Sequence, residues 1–276
     1  MWFAPARRLP ACCLVITLAA AACGTDPGDT VIGRAADGHL TIAIAEDQPG
    51  TSLKDLNGEY HGFDIDVAEF VARQLGVDAG GITWRSTVSA DRETVLENGS
   101  ADMVVDGFSI TDDRKQVVSF AGPYFVAGQD LLVRQADTSI GGPESLNGKR
   151  LCSVAGTTSA QEVKDTFASR TKLVEYPHFS ECVTALLADI VDAVTTDDLL
   201  LAGYAAQDPE LLRVVGKPFT QERYGIGVRK GDTASVDKID DALAEMISTG
   251  GWKASLERNF AGTGYQIPPP PQITER

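Results

Sequence analysis

The sequence predicts an α/β protein of two lobes, because strand-like and helix-like segments alternate along the chain in two successive series. The first series begins with the alternating segment Leu40-Thr-Ile-Ala-Ile-Ala45, and the second begins after Leu131-Leu-Val133. A chain of 276 residues is long enough for one large domain or two modest ones. Alternation of this kind favours a mostly parallel sheet in each lobe.

In the first series, Asp64 is placed to cap a helix, and Gly76 is placed to end it. The apolar residues of this helix recur at helical spacing and share one face. The later segments of the series are, in order, a strand at 82–84, a helix at 91–97 and a strand at 103–105.

The second series repeats the same alternation and is followed by further elements and a tail. Its predicted segments are strands at 151–154, 173–176 and 192–195, helices at 159–168 and 181–188, a later strand at 224–228, and closing helices at 236–248 and about 252–260. The run Pro268 to Pro271 is too rich in proline to pack as a helix or strand, so we expect 263–276 to be disordered.

The composition indicates a globular protein that does not bind nucleic acid. With 43% hydrophobic and 23% charged residues, the chain resembles neither a disordered nor a multi-span membrane protein. A formal net charge of −15 opposes attraction to phosphate backbones and anionic lipid headgroups. Net charge cannot identify a small ligand, because the local field of a pocket can oppose that of the whole surface.

The first 22 residues have the pattern of an export signal. Arg7 and Arg8 precede the apolar run Leu14 to Ala22, which is too short to serve comfortably as a permanent membrane span. The segment Leu18-Ala-Ala-Ala-Ala-Cys23 resembles a bacterial lipoprotein cleavage box, which implies that Cys23 carries the lipid. The alternative is an ordinary secretory signal with an incidental cysteine. Residues 23–37 are then expected to form a flexible tether.

The remaining cysteines favour a disulfide outside the cytoplasm. Cys12 and Cys13 leave with the signal, so Cys152 and Cys182 remain as a pair. In an oxidising compartment a disulfide is the default expectation, and closing a loop of about 30 residues stabilises by roughly 3 kcal/mol. A metal site is the poorer alternative, because none of the three histidines has ligand spacing to a cysteine or to another histidine.

One candidate anion site lies in the segment Gly107-Phe-Ser-Ile-Thr-Asp-Asp-Arg114. A strand ends at Asp106 and a helix begins near Thr111, so Ser109, Thr111 and free backbone amides surround a helix N-terminus that carries Arg114. Such an arrangement favours a carboxylate, which a guanidinium can grip with two hydrogen bonds. The alternative is a capped helix whose surface arginine pairs with a neighbouring aspartate.

Two further segments belong to the second lobe. Gly156-Thr-Thr-Ser159 joins a strand to a helix at the carboxyl end of the strand, where open α/β sheets bind ligands. The segment Asp192-Ala-Val-Thr-Thr-Asp-Asp198 delivers Asp197 to the same edge, where its carboxylate could accept an ammonium group. The alternatives are a structural capping box and a helix cap, respectively. Together these segments indicate a cleft for a zwitterion.

No catalytic constellation is visible in the sequence. There is no Gly-x-Ser-x-Gly segment, no P-loop and no Cys–His pairing compatible with a disulfide. The adjacent acids Glu46 and Asp47 are more typical of a solvated surface than of a general acid/base pair. We therefore expect a protein that is not an enzyme and uses no cofactor or metal.

In the order and combination of its motifs, the sequence resembles the extracytoplasmic solute-binding proteins of polar amino-acid ABC importers, family 3, and most of all their glutamate- and glutamine-binding lipoproteins. The motifs are Gly62-Phe-Asp-Ile-Asp-Val67, Asn98-Gly-Ser-Ala-Asp102, Ser109-Ile-Thr-Asp-Asp-Arg-Lys115, Phe120-Ala-Gly-Pro-Tyr124, Gly156-Thr-Thr-Ser159 and Asp192-Ala-Val-Thr-Thr-Asp197. The resemblance covers about residues 38–262 and implies a two-lobed periplasmic-binding-protein type II fold with two crossover hinge strands.

The resemblance also implies a domain plan and partners. Lobe 1 would comprise 38–125 and 223–262, and lobe 2 would comprise 126–222, with crossovers near 124–128 and 221–225. The protein would be a monomer on the outer face of the cell membrane that passes a free amino acid to ABC transporter permease subunits. The sequence does not separate this role from that of a sensor for a membrane signalling partner.

By the same resemblance, Arg114 would bind the α-carboxylate of the ligand, assisted by Ser109 and by the amide of Thr157 or Thr158. Asp197 and the Gly107 carbonyl would receive the α-ammonium group. Phe108 and Thr111 complete this candidate set. The pair Cys152 and Cys182 resembles a disulfide of some members.

The specificity for the ligand side chain stays open. Arg92 matches an arginine that reaches into the cleft of acidic-amino-acid binders, whereas Ala45 and Glu46 stand where those proteins often have a lysine and an aromatic residue. If Glu46 and Asp106 face the cleft, a cationic or neutral side chain is favoured. If they face water, Arg92 selects glutamate or aspartate. Glu46 is also the one candidate catalytic residue for a rival function, a dehydratase on this fold.

Overall fold

The computed structural model describes residues 1–2 and 27–275, so Cys23 and most of the export signal lie outside the described residues. Within the described part, the strands are β1 (Leu40–Ile44), β2 (Asp47–Gln48), β3 (Ser52–Lys54), β4 (Tyr60–His61), β5 (Ile82–Ser86), β6 (Met103–Val104), β7 (Val118–Ala127), β8 (Gln129–Arg134), β9 (Arg150–Val154), β10 (Lys172–Tyr176), β11 (Ala193–Asp197), β12 (Leu212–Val214) and β13 (Glu222–Arg229).

Helices alternate with most of these strands. They are α1 (Val31–Ala36), α2 (Phe63–Gln74), α3 (Arg92–Glu97), α4 (Asp112–Val117), α5 (Ser159–Glu162), α6 (Phe179–Leu187), α7 (Asp198–Gln207), α8 (Thr233–Ser248) and α9 (Gly251–Asn259). Gly62, two residues before the predicted cap Asp64, is the N-cap of α2, and Asp64 is buried inside the first turn.

Lobe 1 is built around a five-stranded sheet with the strand order β5-β1-β6-β13-β7. Strand β1 pairs in parallel with β5 and β6, whereas β13 pairs antiparallel with β6 and β7. Helices α2 and α8 contact each other, and the apolar residues of α2 are buried. The burial of these residues confirms the prediction that the apolar residues of this helix share one face.

Lobe 2 is built around a second five-stranded sheet with the order β10-β9-β11-β8-β12. Strands β9, β10 and β11 are parallel, and β8 is antiparallel to both β11 and β12. Both sheets are therefore mixed, because one strand in each, β13 in lobe 1 and β8 in lobe 2, runs against the others. The two α/β lobes confirm the predicted fold class.

The chain passes between the lobes twice. It leaves lobe 1 at Gly128, between β7 and β8, and it returns between β12 and β13. Strands β7 and β13 lie side by side, with Glu222 opposite Ala127 and Tyr224 opposite Phe125. These paired connections place the hinge beside the cleft between the lobes.

The disulfide is confirmed. Cys152 of β9 and Cys182 of α6 are bonded, their Cα atoms are 5.6 Å apart, and both side chains are fully buried. The bond fastens helix α6 to the sheet of lobe 2. Since α6 begins with Phe179 at the cleft, the disulfide supports one wall of the site.

The segment before β1 is ordered over part of the expected tether. Thr30 caps α1, Val31 and Ala35 are buried, and the Val31 amide donates to the Asp232 carboxylate at 2.9 Å. The expectation of a flexible tether over 23–37 is therefore wrong for residues 31–36. The small apolar face of α1 packs on α8 of lobe 1. The local composition does not reveal this contact.

The proline-rich segment also differs from its prediction. Tyr265, Ile267 and Ile273 pack against the core, and the amides of Thr274 and Glu275 donate to the Gly122 carbonyl. The predicted disorder is wrong for the described residues up to 275. The described part of this segment contains no helix or strand, and these packing contacts and hydrogen bonds to lobe 1 order it.

Candidate ligand-binding site

A small polar cavity of about 20 Å³ lies between the lobes. It is formed where strands β6, β9 and β11 end, which is the usual ligand position in open α/β sheets. The residues that line it are Gln48, Ser89, Arg92, Asp106, Gly107, Ser109, Arg114, Thr157, Thr158, Ser159, Phe179, Thr196, Asp197 and Leu200. The cavity therefore collects side chains from both lobes.

The lobes are closed over this cavity. The Ser180 amide of lobe 2 donates to the Asp47 carboxylate of lobe 1 at 2.9 Å, and the Tyr204 hydroxyl donates to the Asp47 carbonyl at 2.5 Å. A Cβ atom on Gly203 would lie 1.9 Å from the Pro49 carbonyl oxygen. The closed arrangement thus depends on a glycine at this contact.

Arg114 projects into the cavity from α4, and its side chain is only 8% exposed. Its Nη1 donates to the Ser109 carbonyl at 2.7 Å, and its Nη2 donates to the Gly156 carbonyl of lobe 2 at 3.1 Å. The Nε atom lies 3.3 Å from Glu93, so the partner of this arginine is not Asp112 or Asp113. Burial and the nearby charge of Arg92 lower its pKa to about 10, and Glu93 partly opposes this shift. The guanidinium is therefore charged at neutral pH.

Asp197 approaches from lobe 2, as the last residue of β11. Its Oδ2 accepts the Tyr224 hydroxyl at 2.5 Å, whereas its buried Oδ1 has no hydrogen-bond partner among the described residues. It is the N-cap residue of α7, but its carboxylate makes no capping hydrogen bond. Burial, followed by the charge of Glu222, raises the pKa of this carboxyl to about 8. An ammonium group would satisfy the free oxygen and lower this pKa.

Arg92 and Asp106 form a buried pair at one end of the cavity. The Arg92 side chain donates to the carbonyl oxygens of Ser89 and Asp106 at 3.1 Å each, and its Nη1 lies 3.8 Å from the Asp106 Oδ2. Burial raises the pKa of Asp106 to about 6, although the Arg92 charge opposes the shift. Arg92 is 4% exposed, so it is a buried residue of the cavity and not a surface residue of α3.

Gln48 extends this end of the cavity and was not identified from the sequence. Its amide nitrogen lies 3.4 Å from Asp106 Oδ1, and its amide oxygen accepts the Thr51 hydroxyl at 3.3 Å. Ser89, Phe179 and Leu200 also line the cavity without a prior signal in the sequence. Apolar and small polar residues of this kind carry no motif.

Three predicted site residues lie outside the cavity lining. The chain bends at Glu46 between β1 and β2, so Gln48 reaches the cavity and the half-exposed Glu46 does not. Thr111 caps α4 by accepting the Arg114 amide at 3.2 Å. Phe108 is buried with both guanidiniums over its ring, at 4.6 Å for Arg92 and 4.8 Å for Arg114. These two residues position the arginines.

The other predicted residues converge on the cavity. Gly107, Ser109, Thr157 and Thr158 all line it. The Thr157 amide donates to the Val154 carbonyl at 3.2 Å, and its hydroxyl donates to the same oxygen at 2.7 Å. Of the two candidate amides, that of Thr158 is the one that makes no hydrogen bond within the described residues, and it lies at the start of α5.

Asp64 holds part of the cavity lining in place through hydrogen bonds, a role that its position in the sequence did not reveal. It accepts the Gly107 amide at 2.9 Å and the Tyr124 hydroxyl at 2.8 Å. Burial raises the pKa of Asp64 to about 7. The Asp64 side chain therefore fixes the turn that carries Gly107 and Ser109.

Two α/β lobes closed over a polar cavity, with a guanidinium and a carboxylate facing it from opposite lobes, define a two-lobed small-molecule binding protein. Residues 40–262 match the bacterial extracellular solute-binding proteins, family 3, and the chain belongs to that family. Among the described residues, none of the helices combines the length and apolarity needed to cross a membrane.

Individual relatives are similar over most of the chain. The glutamate-binding protein GluB of Corynebacterium efficiens is 42% identical over 250 residues, which cover 87% of this chain and 85% of GluB. The ABC transporter glutamine-binding protein GlnH of Bacillus subtilis is 34% identical over 80% of this chain and 81% of its own. A solved ancestral arginine-binding protein bound to arginine has a TM-score of 0.75 and 35% identity, covering 82% of this chain and 99% of its own.

Proposed function

We propose that this protein is a lipid-anchored extracytoplasmic receptor for a polar amino acid, glutamate or glutamine first, which it delivers to an ABC transporter permease. The observation that carries the proposal is the placement of Arg114 and Asp197 on opposite lobes of one closed cavity. A ligand held by both residues stabilises the closed form, because the open form cannot provide both contacts together.

The backbone of an amino acid fits this pair of charges. Its α-carboxylate can take a bidentate position on Arg114, assisted by Ser109 and the Thr158 amide. Its α-ammonium group can donate hydrogen bonds to the free Oδ1 of Asp197 and to the Gly107 carbonyl oxygen. These contacts are common to all amino acids, so they explain the class of ligand and not its side chain.

The Arg92 end of the cavity supports a glutamate or glutamine side chain. Arg92 makes hydrogen bonds through Nε and Nη1, whereas its Nη2 makes none to the described residues. The Nη2 atom of Arg92 can donate to a carboxylate or an amide oxygen of the ligand side chain. The side-chain amide of Gln48 lies at the same end of the cavity. The names of the glutamate- and glutamine-binding relatives support the same choice.

A basic amino acid is the alternative that Asp106 and the arginine-bound structural relative favour. Asp106 faces the cavity, but its charge is already balanced by Arg92. A cationic side chain would therefore meet a guanidinium beside the carboxylate, which disfavours it. Glu46, the residue that a dehydratase would use, lies outside the lining.

Calorimetric titration of the soluble protein, residues 24–276, with each of the twenty amino acids tests the binding function. We expect glutamate or glutamine to bind most tightly and arginine weakly. If no amino acid binds, the receptor function is wrong; if arginine binds best, the assignment of the Arg92 end is wrong. Asp197→Asn should weaken every ligand, because it removes the charge that meets the α-ammonium group.

The lipid anchor and the transport role require separate measurements. Cys23→Ala should move the protein from the membrane fraction into the medium, and retention of this variant on the membrane would contradict the anchor. Uptake of labelled ligand by cells that lack this protein should fall relative to cells that contain it. Normal uptake together with a lost transcriptional response would instead identify a sensor.

A further inference from the structure

The segment from Gly264 to Glu275, here called the hinge strap, connects the two lobes on a path separate from the two crossovers. It follows α9 of lobe 1, and near its start the Tyr265 hydroxyl donates to Oδ1 of Asp198 in lobe 2 at 3.2 Å. The Tyr265 ring packs on Phe260, with ring centres 5.7 Å apart. Burial raises the pKa of Tyr265, so the hydroxyl keeps its proton and remains a donor.

Asp198 joins the strap to both the hinge and the ligand site. Its Oδ1 also accepts the Gly128 amide at 3.2 Å, and Gly128 is the residue at which the chain enters lobe 2. Asp198 directly follows Asp197, which lines the cavity. One carboxylate oxygen therefore contacts the strap, the crossover and the start of α7.

The far end of the strap is fixed on lobe 1. The amides of Thr274 and Glu275 donate to the Gly122 carbonyl of β7 at 2.8 and 3.0 Å. The Glu275 carboxylate, whose side chain is 6% exposed, forms ion pairs with Lys115 and with Arg223 of β13. Lys115 directly follows Arg114, just as Asp198 directly follows Asp197. The strap therefore contacts the neighbours of Arg114 and Asp197, two of the charged residues that line the cavity.

The sequence between these anchors is stiff. Four consecutive prolines, 268–271, favour an extended polyproline conformation of about 3.1 Å per residue and reduce the entropy lost on ordering. A stiff segment that is fixed at Tyr265 and at Thr274 cannot follow a large rotation of lobe 2 without releasing one anchor.

We propose that the hinge strap stabilises the closed arrangement of the lobes through the Tyr265–Asp198 contact and thereby increases the affinity of the cleft for its ligand. A contact made in the closed form and lost on opening shifts the equilibrium towards closure before any ligand binds. A ligand that needs the closed form then binds more tightly, because less of its binding energy is used for closure. The affinity part of this inference rests on the proposed function; the conformational part does not.

The conformational part is tested without ligand by the distance between spin labels on two exposed positions, Asn57 of lobe 1 and Ala188 of lobe 2. The full chain with Tyr265→Phe should show a distance distribution shifted to longer values than the wild-type chain. Tyr176→Phe is the matched control, since the hydroxyl of this half-buried tyrosine makes no hydrogen bond within the described residues. Identical distributions for the wild-type and Tyr265→Phe chains would overturn the proposal.

A second variant, Glu275→Gln, removes the ion pairs of the other anchor with Lys115 and Arg223, and it should shift the distances in the same direction. In calorimetry with glutamate and glutamine, Tyr265→Phe should raise Kd about threefold to tenfold, as expected for the loss of one hydrogen bond to a carboxylate. A wild-type protein that binds neither amino acid would overturn the proposed preference for glutamate or glutamine, while the distances still decide the strap. Normal binding with unchanged distances would overturn the strap alone.

Discussion

The Arg114 guanidinium of lobe 1 donates from Nη2 to the Gly156 carbonyl oxygen of lobe 2 across 3.1 Å. This hydrogen bond crosses the cleft, so Arg114 contributes to closure as well as to the charge of the cavity. The guanidinium carbon also lies 4.8 Å from the centre of the Phe108 ring. The orientation of the guanidinium is therefore fixed before a ligand arrives.

Replacing Arg114 with alanine should cost about 2 to 3 kcal/mol of ligand binding, because the α-carboxylate loses a bidentate partner inside a buried cavity. Arg114→Lys should restore little, since an ammonium group cannot reproduce the planar fork. Calorimetry of both variants measures the loss, and thermal melting without ligand checks the fold. Affinity near that of the wild type in Arg114→Ala would refute the clamp.

Replacing Arg92 with alanine should weaken glutamate binding at least tenfold more than glutamine binding, because Asp106 then faces the ligand as an unpaired carboxylate. The double variant Arg92→Ala with Asp106→Asn is the control, and it should recover part of the glutamate affinity. Binding isotherms for both amino acids give the comparison. Equal losses for the two ligands would contradict a role for Arg92 at the ligand side chain.

Ligand binding should weaken as the pH falls from 8.0 to 6.5. The pKa of Asp197 is raised to about 8 in the ligand-free cavity, so most molecules must release a proton before the carboxylate can meet an ammonium group. The bound ammonium group lowers the pKa of Asp197, so the ligand binds the ionised carboxylate. As the pH falls below 8, fewer ligand-free molecules carry this carboxylate, and the affinity should fall roughly tenfold across this range. Calorimetry in buffers of different ionisation enthalpy should show a proton released on binding. Proton uptake, or an affinity independent of pH, would contradict this assignment.

Gly203→Ala should prevent full closure, because its Cβ would lie 1.9 Å from the Pro49 carbonyl oxygen across the lobe interface. Alanine in α7 favours the helix by about 1 kcal/mol, so the free energy of unfolding should not fall through helix propensity. We expect at least a tenfold loss of ligand affinity. Gly141→Ala is the control, since its Cβ would meet no atom within 4 Å. Unchanged affinity in Gly203→Ala would mean that ligand binding does not require this interface.

Removing the disulfide with Cys152→Ala and Cys182→Ala should lower the free energy of unfolding by roughly 3 kcal/mol, because the closed loop restricts the unfolded chain. Urea unfolding of the double variant and of the wild-type protein with a reductant should give similar losses. A loss in the variant without any effect of the reductant would attribute the change to packing and not to the bond.

The sequence alone determined the features that depend on neighbouring residues. Strand and helix alternate because their hydrophobic periods differ, and this pattern gave two α/β lobes. Arg114 and Asp197 could be identified as site residues because each lies where a strand gives way to a helix, and such strand ends meet at one edge of a sheet. The cysteine pair followed from counting and from the redox compartment.

The tertiary structure decided whatever depends on residues that are distant in the sequence. Arg92 and Asp106 neutralise each other only because α3 and the end of β6 meet beside the cavity, so neither residue by itself predicts the charge that a ligand encounters. Gln48 lines the cavity and Glu46 does not, because the chain bends at Glu46, and no local pattern marks this bend. The proline-rich strap is ordered because its two ends form hydrogen bonds and ion pairs with Asp198, Gly122, Lys115 and Arg223. These partners lie on other elements of the fold, so the composition of the segment cannot reveal them.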